Sequence, residues 1–253
     1  RSAGQKDQMP LPVLLQSLVD YALPPRCPVC GTTVEADNRF CLSCWQQLAF
    51  LAKPWCAACG LPFAFDQSDD SRCAKCLVKP PIHDGVRAVM RYDDRSSLIA
   101  MRLKYATRLG LARLIANHLQ KFAAECSDNG IIVPVPLHPT RLWHRGFNQS
   151  VPIGRELSLI SGIPMDYGVI ARCKITPPLR GMSGIQRQRT VGSAFIASPD
   201  AQERIAGKSV ILVDDVYTSG ATSNACARLL KKAGAEQVLV FCWARVISEF
   251  ENG

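Results

Sequence analysis

Apolar residues from position 85 onward recur at two different spacings, which together predict a layered α/β fold. Short runs rich in β-branched residues predict strands over residues 131–135, 209–213 and 237–243, and weaker alternation predicts strands over 85–92 and 165–171. Apolar residues at helical spacing predict helices over residues 96–105, 110–124, 148–160 and 223–232. Strands that alternate with helices form parallel sheets covered on both faces, so we expect that architecture here.

The first eighty residues follow a different pattern. After a polar tail, apolar residues between Leu11 and Leu23 recur at the spacing of a short amphipathic helix. Consecutive prolines at Pro80 and Pro81 interrupt both helix and strand, and they mark a linker. We therefore expect three parts: a tail with a short helix over 1–24, a small module over 25–79 and the α/β domain over 80–253.

Cysteines dominate the small module. Of the twelve in the chain, eight form four pairs with the spacing Cys-x-x-Cys: Cys27/Cys30, Cys41/Cys44, Cys56/Cys59 and Cys73/Cys76. Each such turn directs two thiolates to one centre, and two turns complete the tetrahedral shell of four sulfurs that a structural zinc ion needs. Glycines follow two of the pairs, at Gly31 and Gly60, as tight metal-binding turns require. The sequence therefore predicts two structural zinc ions, which supply the stability that so small a module lacks.

Other uses of these cysteines fit less well. A disulfide framework needs an oxidising compartment, a redox Cys-x-x-Cys is normally single, and a catalytic zinc keeps one position open. Consecutive pairing joins the first two pairs in one site and the last two in another, and an interleaved cross-brace is the alternative. Consecutive pairing closes shorter loops, so we expect that arrangement.

The hydrophobic pattern and the cysteines also bear on location. No apolar run approaches the roughly 20 residues that cross a bilayer. Gln16 and Asp20 interrupt the segment that most resembles a signal peptide. Because nothing directs export, we expect a cytoplasmic protein that does not insert into membranes.

The charge balance favours anionic partners. The chain has 30 Lys and Arg residues against 21 Asp and Glu residues, a net charge of +9. Such an excess suits phosphates, pyrophosphate or nucleic acid, although a merely soluble basic surface would give the same number.

The segment from Val210 to Thr222 carries the most informative pattern. An apolar strand ends in two carboxylates, and a loop of small and hydroxylated residues follows before a helix opens: Asp214, Asp215, Thr218, Ser219, Gly220, Ala221 and Thr222. Backbone N–H groups at a helix start bind anions with the help of the helix dipole, and the hydroxyls add hydrogen bonds. The carboxylates suit vicinal sugar hydroxyls. The segment therefore predicts a ribose 5-phosphate site at the carboxyl edge of the sheet.

Other phosphate-binding motifs match poorly. Gly207-Lys208-Ser209 has the end of a Walker A motif, but Gln202 stands where its first glycine should be, and a strand follows instead of a helix. An ordinary strand-to-helix turn with solvated aspartates is the remaining alternative.

The Val210–Thr222 segment resembles the phosphoribosyl pyrophosphate (PRPP) motif of type I phosphoribosyltransferases. The stretch IVPVPLHPTR, from Ile132 to Arg141, and the stretch RGFNQ, from Arg145 to Gln149, resemble the ComF family of competence-associated proteins. The four Cys-x-x-Cys pairs are similar to the double zinc ribbon of that family. The resemblance implies a type I phosphoribosyltransferase-like parallel sheet flanked by helices and preceded by a small zinc-ribbon module.

The resemblance also implies roles for individual residues. A loop after the first core strand binds pyrophosphate in this superfamily, and it corresponds here to residues 136–145, where Arg141 and Arg145 could pair with phosphate oxygens. Lys104 matches a Lys-aromatic step of the family and either reaches a phosphate or is a solvated helix lysine. PRPP would bind with Mg²⁺, which offsets charge on the leaving pyrophosphate.

Two functions fit this resemblance, and they are compatible. The PRPP motif favours a phosphoribosyltransferase that uses PRPP or another phosphorylated ribose, with Asp214 and Asp215 as catalytic residues and a nitrogen acceptor that the sequence does not identify. The family favours a role in DNA uptake during natural transformation. As a non-catalytic alternative, the chain would bind single-stranded DNA and work with competence proteins, and its PRPP site would be regulatory or vestigial. Trp143 and other aromatic residues among the arginines would then stack on bases.

Overall fold

The computed structural model describes residues 24–103, 109–126, 128–174 and 193–247. These residues fall into two compact units that divide between Gln47 and Leu48. The tail and helix expected over 1–24 lie outside the described residues except for Pro24, and so does Lys104.

The described part of the first unit, residues 24–47, is a small cysteine-containing turn structure with one short helix, α1 (Leu42–Trp45). Cys27 donates its backbone N–H to the Thr32 carbonyl at 2.8 Å, and Gly31 donates to the Cys27 carbonyl at 2.9 Å. Gly31 has a φ of 79°, which a residue with a side chain rarely adopts. The expectation that a glycine closes this metal-binding turn is therefore confirmed.

The second unit contains the strands and the remaining described helices. The strands are β1 (Gly85–Arg91), β2 (Ile131–Pro134), β3 (Ile170–Arg172), β4 (Phe195–Ala197), β5 (Ser209–Tyr217) and β6 (Gln237–Arg245). The helices are α2 (Ala74–Val78), α3 (Asp94–Leu103), α4 (Leu109–Leu119), α5 (Pro139–Arg145), α6 (Ser150–Ser161), α7 (Ala201–Ile205) and α8 (Ala221–Lys232). A 3₁₀ helix, Gln120–Glu125, follows α4.

Four strands form a parallel sheet in the order β1-β6-β5-β2. In the register, Leu212 of β5 lies beside Val133 of β2 on one side and Val240 of β6 on the other. A separate antiparallel pair joins β3 to β4. The parallel α/β sheet expected from the hydrophobic rhythm is therefore confirmed.

Helices cover both faces of the sheet. Helices α3, α4 and α6 pack on one face, and α8 packs on the other. Val210 and Leu212 of β5 belong to the buried cluster that includes Leu230 of α8. The intervening Ile211 is fully buried and points to the opposite face, because side chains alternate along a strand.

Residues 48–79, which we call the second cysteine module, pack against this sheet. Along the edge of β1, Leu51 donates its N–H to the Val89 carbonyl at 2.9 Å, and Arg91 donates to the Ala49 carbonyl at 2.8 Å. The buried Cys56 and Cys59 share a cluster with residues of β1, β5 and β6. The second cysteine module thus belongs to the same compact unit as the sheet.

Candidate functional site

The two carboxylates lie within β5, which is longer than the strand expected over 209–213. Strand β2 stops at Pro134, opposite Val213, whereas β5 remains paired with β6 until Tyr217 lies beside Arg245. Asp214 and Asp215 are therefore on the part of β5 that has extended past β2, and both are half-buried. This places them at the carboxyl edge of the sheet, as the sequence predicts.

The two carboxylates face opposite sides of the sheet. Asp215 Oδ2 accepts a hydrogen bond from Gln149 Nε2 at 2.9 Å, next to the start of α6. Burial and, after it, the nearby charge of Asp214 raise the pKa of the Cys226 thiol in α8. Asp215 therefore lies on the α6 face and Asp214 on the α8 face, as strand alternation requires.

Residues 218–222, which we call the hydroxyl loop, join β5 to α8. Thr218 and Ser219 are exposed, and Gly220 directly precedes α8 with a φ of 72°. A Cβ added at Gly220 would overlap the Tyr217 hydroxyl. The loop therefore presents hydroxyls and the first N–H groups of a twelve-residue helix, the pair of features that binds phosphate at helix starts.

A buried aromatic pair anchors the beginning of the hydroxyl loop. His83 Nε2 lies 3.1 Å from the Tyr217 hydroxyl, and the two rings meet edge to face at 5.7 Å. Burial lowers the pKa of His83 to about 4, against a smaller opposing effect of Asp84. Burial also raises the pKa of Tyr217. Both side chains are therefore neutral at pH 7, so the contact is a hydrogen bond between uncharged groups.

The segment after β2, expected as a pyrophosphate-binding loop, contains the short helix α5. Pro139 occupies its first turn, His138 Nδ1 accepts the Thr140 N–H at 3.2 Å, and Gly146 ends it with a φ of 78°. The backbone places positions 141 and 145 on this helix, whereas the side chains of Arg141 and Arg145 lie outside the described set. The Val135 N–H donates to the Val213 carbonyl at 2.9 Å, so this segment begins beside Asp214.

Sequence reasoning gave no role to two residues that organise this edge of the sheet. Asn148 Nδ2 donates to the Val135 carbonyl at 2.9 Å, which ties the start of α6 to the chain after β2. Gln149 holds Asp215, and its own Oε1 is buried with no hydrogen-bond partner among the described residues. Both belong to the stretch RGFNQ, and its resemblance to the ComF family is the signal that the sequence offers for them.

The eight paired cysteines form two groups of four. One contains Cys27, Cys30, Cys41 and Cys44, and the other contains Cys56, Cys59, Cys73 and Cys76; within each group the sulfur atoms lie within 4.8 Å of one another. The structure therefore shows the consecutive grouping. Zn–S bonds of about 2.3 Å place tetrahedral sulfurs about 3.8 Å apart. The Sγ–Sγ distances of 3.6 Å for Cys30–Cys41 and 3.7 Å for Cys59–Cys73 match this value, so both groups fit a structural zinc ion.

Individual contacts in each group favour thiolates. Hydrogen bonding to Thr32 lowers the pKa of Cys30 to about 6. In the second group, Cys56 Sγ accepts the Cys73 N–H at 3.3 Å. The buried Arg245 donates from Nη2 to Cys59 Sγ at 3.3 Å and from Nε to the Cys59 carbonyl at 2.7 Å. A guanidinium in this position offsets negative charge on a tetrathiolate site.

Comparison with known proteins agrees with this geometry. Residues 18–77 match the double zinc ribbon domain, and residues 159–249 match the phosphoribosyl transferase domain. Competence protein F of Haemophilus influenzae is 30% identical over 227 residues, which cover 87% of this chain and 96% of that protein. The chain belongs to the ComF family.

Two further matches extend this comparison. The DNA utilization protein YhgH of Salmonella typhimurium is 33% identical over 198 residues, covering 76% of this ComF-family chain and 84% of the relative. A solved adenine phosphoribosyltransferase is 18% identical over 57% of this chain and 74% of its own, with a TM-score of 0.36. In the described ranges, no helix combines the length and the apolar character that crossing a membrane requires.

Proposed function

We propose that this ComF-family chain binds PRPP in its α/β unit and transfers phosphoribose to a nitrogen acceptor, as a cytoplasmic participant in DNA uptake. One observation carries the proposal: two half-buried carboxylates lie on opposite faces of β5, immediately before the hydroxyl loop and the N-terminus of α8. The names of the relatives, which refer to competence and DNA utilization, support the connection to DNA uptake.

The hydroxyl loop binds the 5-phosphate of the sugar. Thr218, Ser219 and Thr222 donate hydroxyl hydrogens, and the N–H groups around Ala221 add bonds that the dipole of α8 strengthens. Asp214 and Asp215 accept hydrogen bonds from the ribose hydroxyls. Gln149 fixes the carboxylate of Asp215, so one acceptor is oriented before the ligand arrives.

The pyrophosphate lies toward residues 136–145, which begin beside Asp214. Arg141 and Arg145 donate to its oxygens as they gain charge, while positive charge develops at the anomeric carbon. Lys104 adds a further cation. Mg²⁺ bound to PRPP would offset charge on the departing pyrophosphate, and the carboxylates at this edge are ligands of the type that Mg²⁺ prefers.

Calorimetric titration with PRPP in the presence of Mg²⁺ tests the proposal. Asp214→Asn and Asp215→Asn remove charge with little change of shape, and each is expected to weaken binding at least tenfold, or by ~1.4 kcal/mol. The loss is expected because a charge-assisted hydrogen bond to a ribose hydroxyl disappears in each variant.

Asp69→Asn is the matched control. Asp69 is an exposed carboxylate of the same unit that pairs with Lys53 at 2.8 Å, so its loss should leave PRPP binding unchanged. Wild-type protein that does not bind PRPP with Mg²⁺ would refute the proposal, and so would two carboxylate variants that bind as tightly as wild type.

A second candidate function is binding of single-stranded DNA, and the exposure of Trp143 favours it. This indole, on α5 between Arg141 and Arg145, is 87% exposed. Bases of single-stranded nucleic acid stack on exposed aromatic side chains beside cations. Not every basic residue is available for DNA. Arg87 pairs with Glu125 at 2.8 Å and lies over the Trp55 ring, so it has a structural role.

Fluorescence titration with a single-stranded oligonucleotide tests this second function. Affinity is expected to fall steeply with salt, and Trp143→Ala is expected to weaken binding about fivefold or more, since stacking on one base contributes about 1–3 kcal/mol. Tyr167→Ala is the control, because Tyr167 is a similarly exposed aromatic residue away from α5. Absence of binding at low salt would exclude the function, as would equal affinities of the Trp143 and Tyr167 variants.

A further inference from the structure

A cavity of about 240 Å³ lies between the second cysteine module and the hydroxyl loop. Thr218, Ser219 and Ala221 line it from the loop and the start of α8. Lys75 and Lys79 line it from the second cysteine module. Residues that are far apart in the sequence therefore enclose one space beside the proposed phosphate site.

Apart from the thiolates of the cysteine group, the charged residues that line this cavity are basic. Among the described residues that line it there is no Asp or Glu; the charged ones are Lys75, Lys79 and Arg245. Arg245 is turned toward the cysteine group, because its Nε and Nη2 donate to Cys59 and its Nη1 donates to the Val246 carbonyl at 3.2 Å. A zinc ion held by four thiolates would carry two negative charges, which the three basic residues of the lining together outweigh by one.

The two lysines lie on one side of a short, well-fixed element. Lys75 is in α2 and Lys79 directly follows it, so they are four residues apart and neighbours on the helix surface. Arg245 of β6 holds Cys59 of the module, and the Ile82 N–H donates to Asn224 Oδ1 of α8 at 2.6 Å. These bonds tie the chain before and after α2 to β6 and α8.

We propose that Lys75 and Lys79 bind the same phosphate group as the hydroxyl loop, so that the second cysteine module forms part of the phosphoribosyl site. This inference rests on the proposed function and adds the cationic half of the phosphate site. The loop itself offers only hydroxyls and N–H groups, which are neutral donors, whereas a phosphate monoester carries close to two negative charges at pH 7. Lysine ammonium groups on flexible stems supply the missing charge without demanding one geometry.

Titration with ribose 5-phosphate tests the inference, since this ligand has the 5-phosphate and no pyrophosphate. Lys75→Ala and Lys79→Ala are each expected to weaken binding about fivefold to tenfold, and the double variant more, because each removes one cation from the phosphate. Binding of inorganic pyrophosphate is expected to stay within about twofold of wild type, since that ligand lies at the opposite end of the site.

Two further variants serve as controls. Lys53→Ala removes a lysine of the same module that pairs with Asp69 and does not line the cavity, so it should bind ribose 5-phosphate as wild type does. The double variant Lys75→Arg/Lys79→Arg retains both charges and should bind within about threefold of wild type. Zinc content, measured by mass spectrometry of the metal, should equal that of wild type in every variant, which separates loss of charge from loss of the module.

The outcomes distinguish this inference from the proposed function. If wild type binds PRPP and the double alanine variant binds ribose 5-phosphate equally tightly, the inference is wrong and the proposed function stands. If wild type binds neither ligand, the proposed function fails and the inference fails with it. Weakening that is equal for ribose 5-phosphate and pyrophosphate would also overturn the inference, because the lysines would then act only through the overall charge.

Discussion

Gly220 is the residue at which the backbone of the hydroxyl loop is most constrained. Its φ of 72° lies in the left-handed region, and a Cβ there would overlap the Tyr217 hydroxyl. A glycine at the start of a phosphate-binding helix also lets the phosphate approach the backbone closely. The structure adds a second requirement, because the buried pair of Tyr217 and His83 occupies the space beside it.

Gly220→Ala is therefore expected to destabilise the protein by about 1–3 kcal/mol, through left-handed strain and overlap with the hydroxyl. Tyr217→Phe removes the hydroxyl, so the double variant should recover at least about 0.5 kcal/mol of this loss in a double-mutant cycle. Urea denaturation followed by circular dichroism measures all four free energies of unfolding.

Gly207 provides the matched control for this cycle. It has a φ of 69°, and a Cβ there would meet no atom within 4 Å. Gly207→Ala should show the left-handed cost alone, and it should be additive with Tyr217→Phe. Additivity at Gly220 as well would show that the tyrosine does not constrain the loop.

At the scale of elements, the regular sheet was predictable and its edges were not. The strands expected over 131–135 and 237–243 appear as β2 and β6, since their branched apolar residues suit a fully buried parallel sheet. The strand expected over 165–171 was placed too early: Met165 makes one isolated parallel bridge to Ile132, and β3 begins at Ile170. Hydrophobic alternation covers both the bridge at Met165 and the start of β3, so it does not show where regular strand pairing begins.

Two further differences between the expected and the observed elements involve residues that usually end a strand or a helix. The expected end of β5 coincided with the end of its apolar run, but pairing with β6 carries the strand through Asp214 and Asp215 to Tyr217. Helix α5 was missed because the family resemblance implies a loop over 136–145, although Pro139 suits the first turn of a helix. In both cases a neighbouring strand or a helix cap outweighs the local composition.

At the scale of the whole molecule, the two cysteine groups belong to different units. The first group lies within residues 24–47, and the second shares a buried cluster with the sheet. The four pairs look equivalent in the sequence. Loss of the first cysteine group and loss of the second should therefore destabilise the α/β unit to different extents.

Cys56→Ser is expected to lower the melting temperature of the sheet unit by about 6 °C or more, because losing about 3 kcal/mol shifts the midpoint by about 2–4 °C per kcal/mol. It should also weaken PRPP binding. Cys27→Ser, the matched variant in the first group, should change the melting temperature of the sheet by less than about 2 °C and leave PRPP binding intact. Scanning calorimetry measures the midpoints.

Metal analysis of the same samples completes this prediction. Wild type should carry about two zinc ions per chain, and each variant about one, since each loses one ligand of one tetrahedral site. A native mass spectrum of wild type with no metal and with disulfides would refute the zinc assignment. Equal thermal losses in the two variants would show that both groups support the sheet.

The sequence by itself determined the chemistry of this protein, and the tertiary structure decided which residues act together. Branched apolar runs, the spacing of the cysteines and the order of carboxylates, hydroxyls and helix after β5 are local properties, so they can be recognised in one sequence. Other contacts join residues 66 or more positions apart. They are the hydrogen bond from Gln149 to Asp215, the hydrogen bonds from Arg245 to Cys59, and the cavity that Lys75 lines together with the hydroxyl loop. No local pattern records such contacts, because they exist only once the sheet has brought its carboxyl edge, α2 and α8 together.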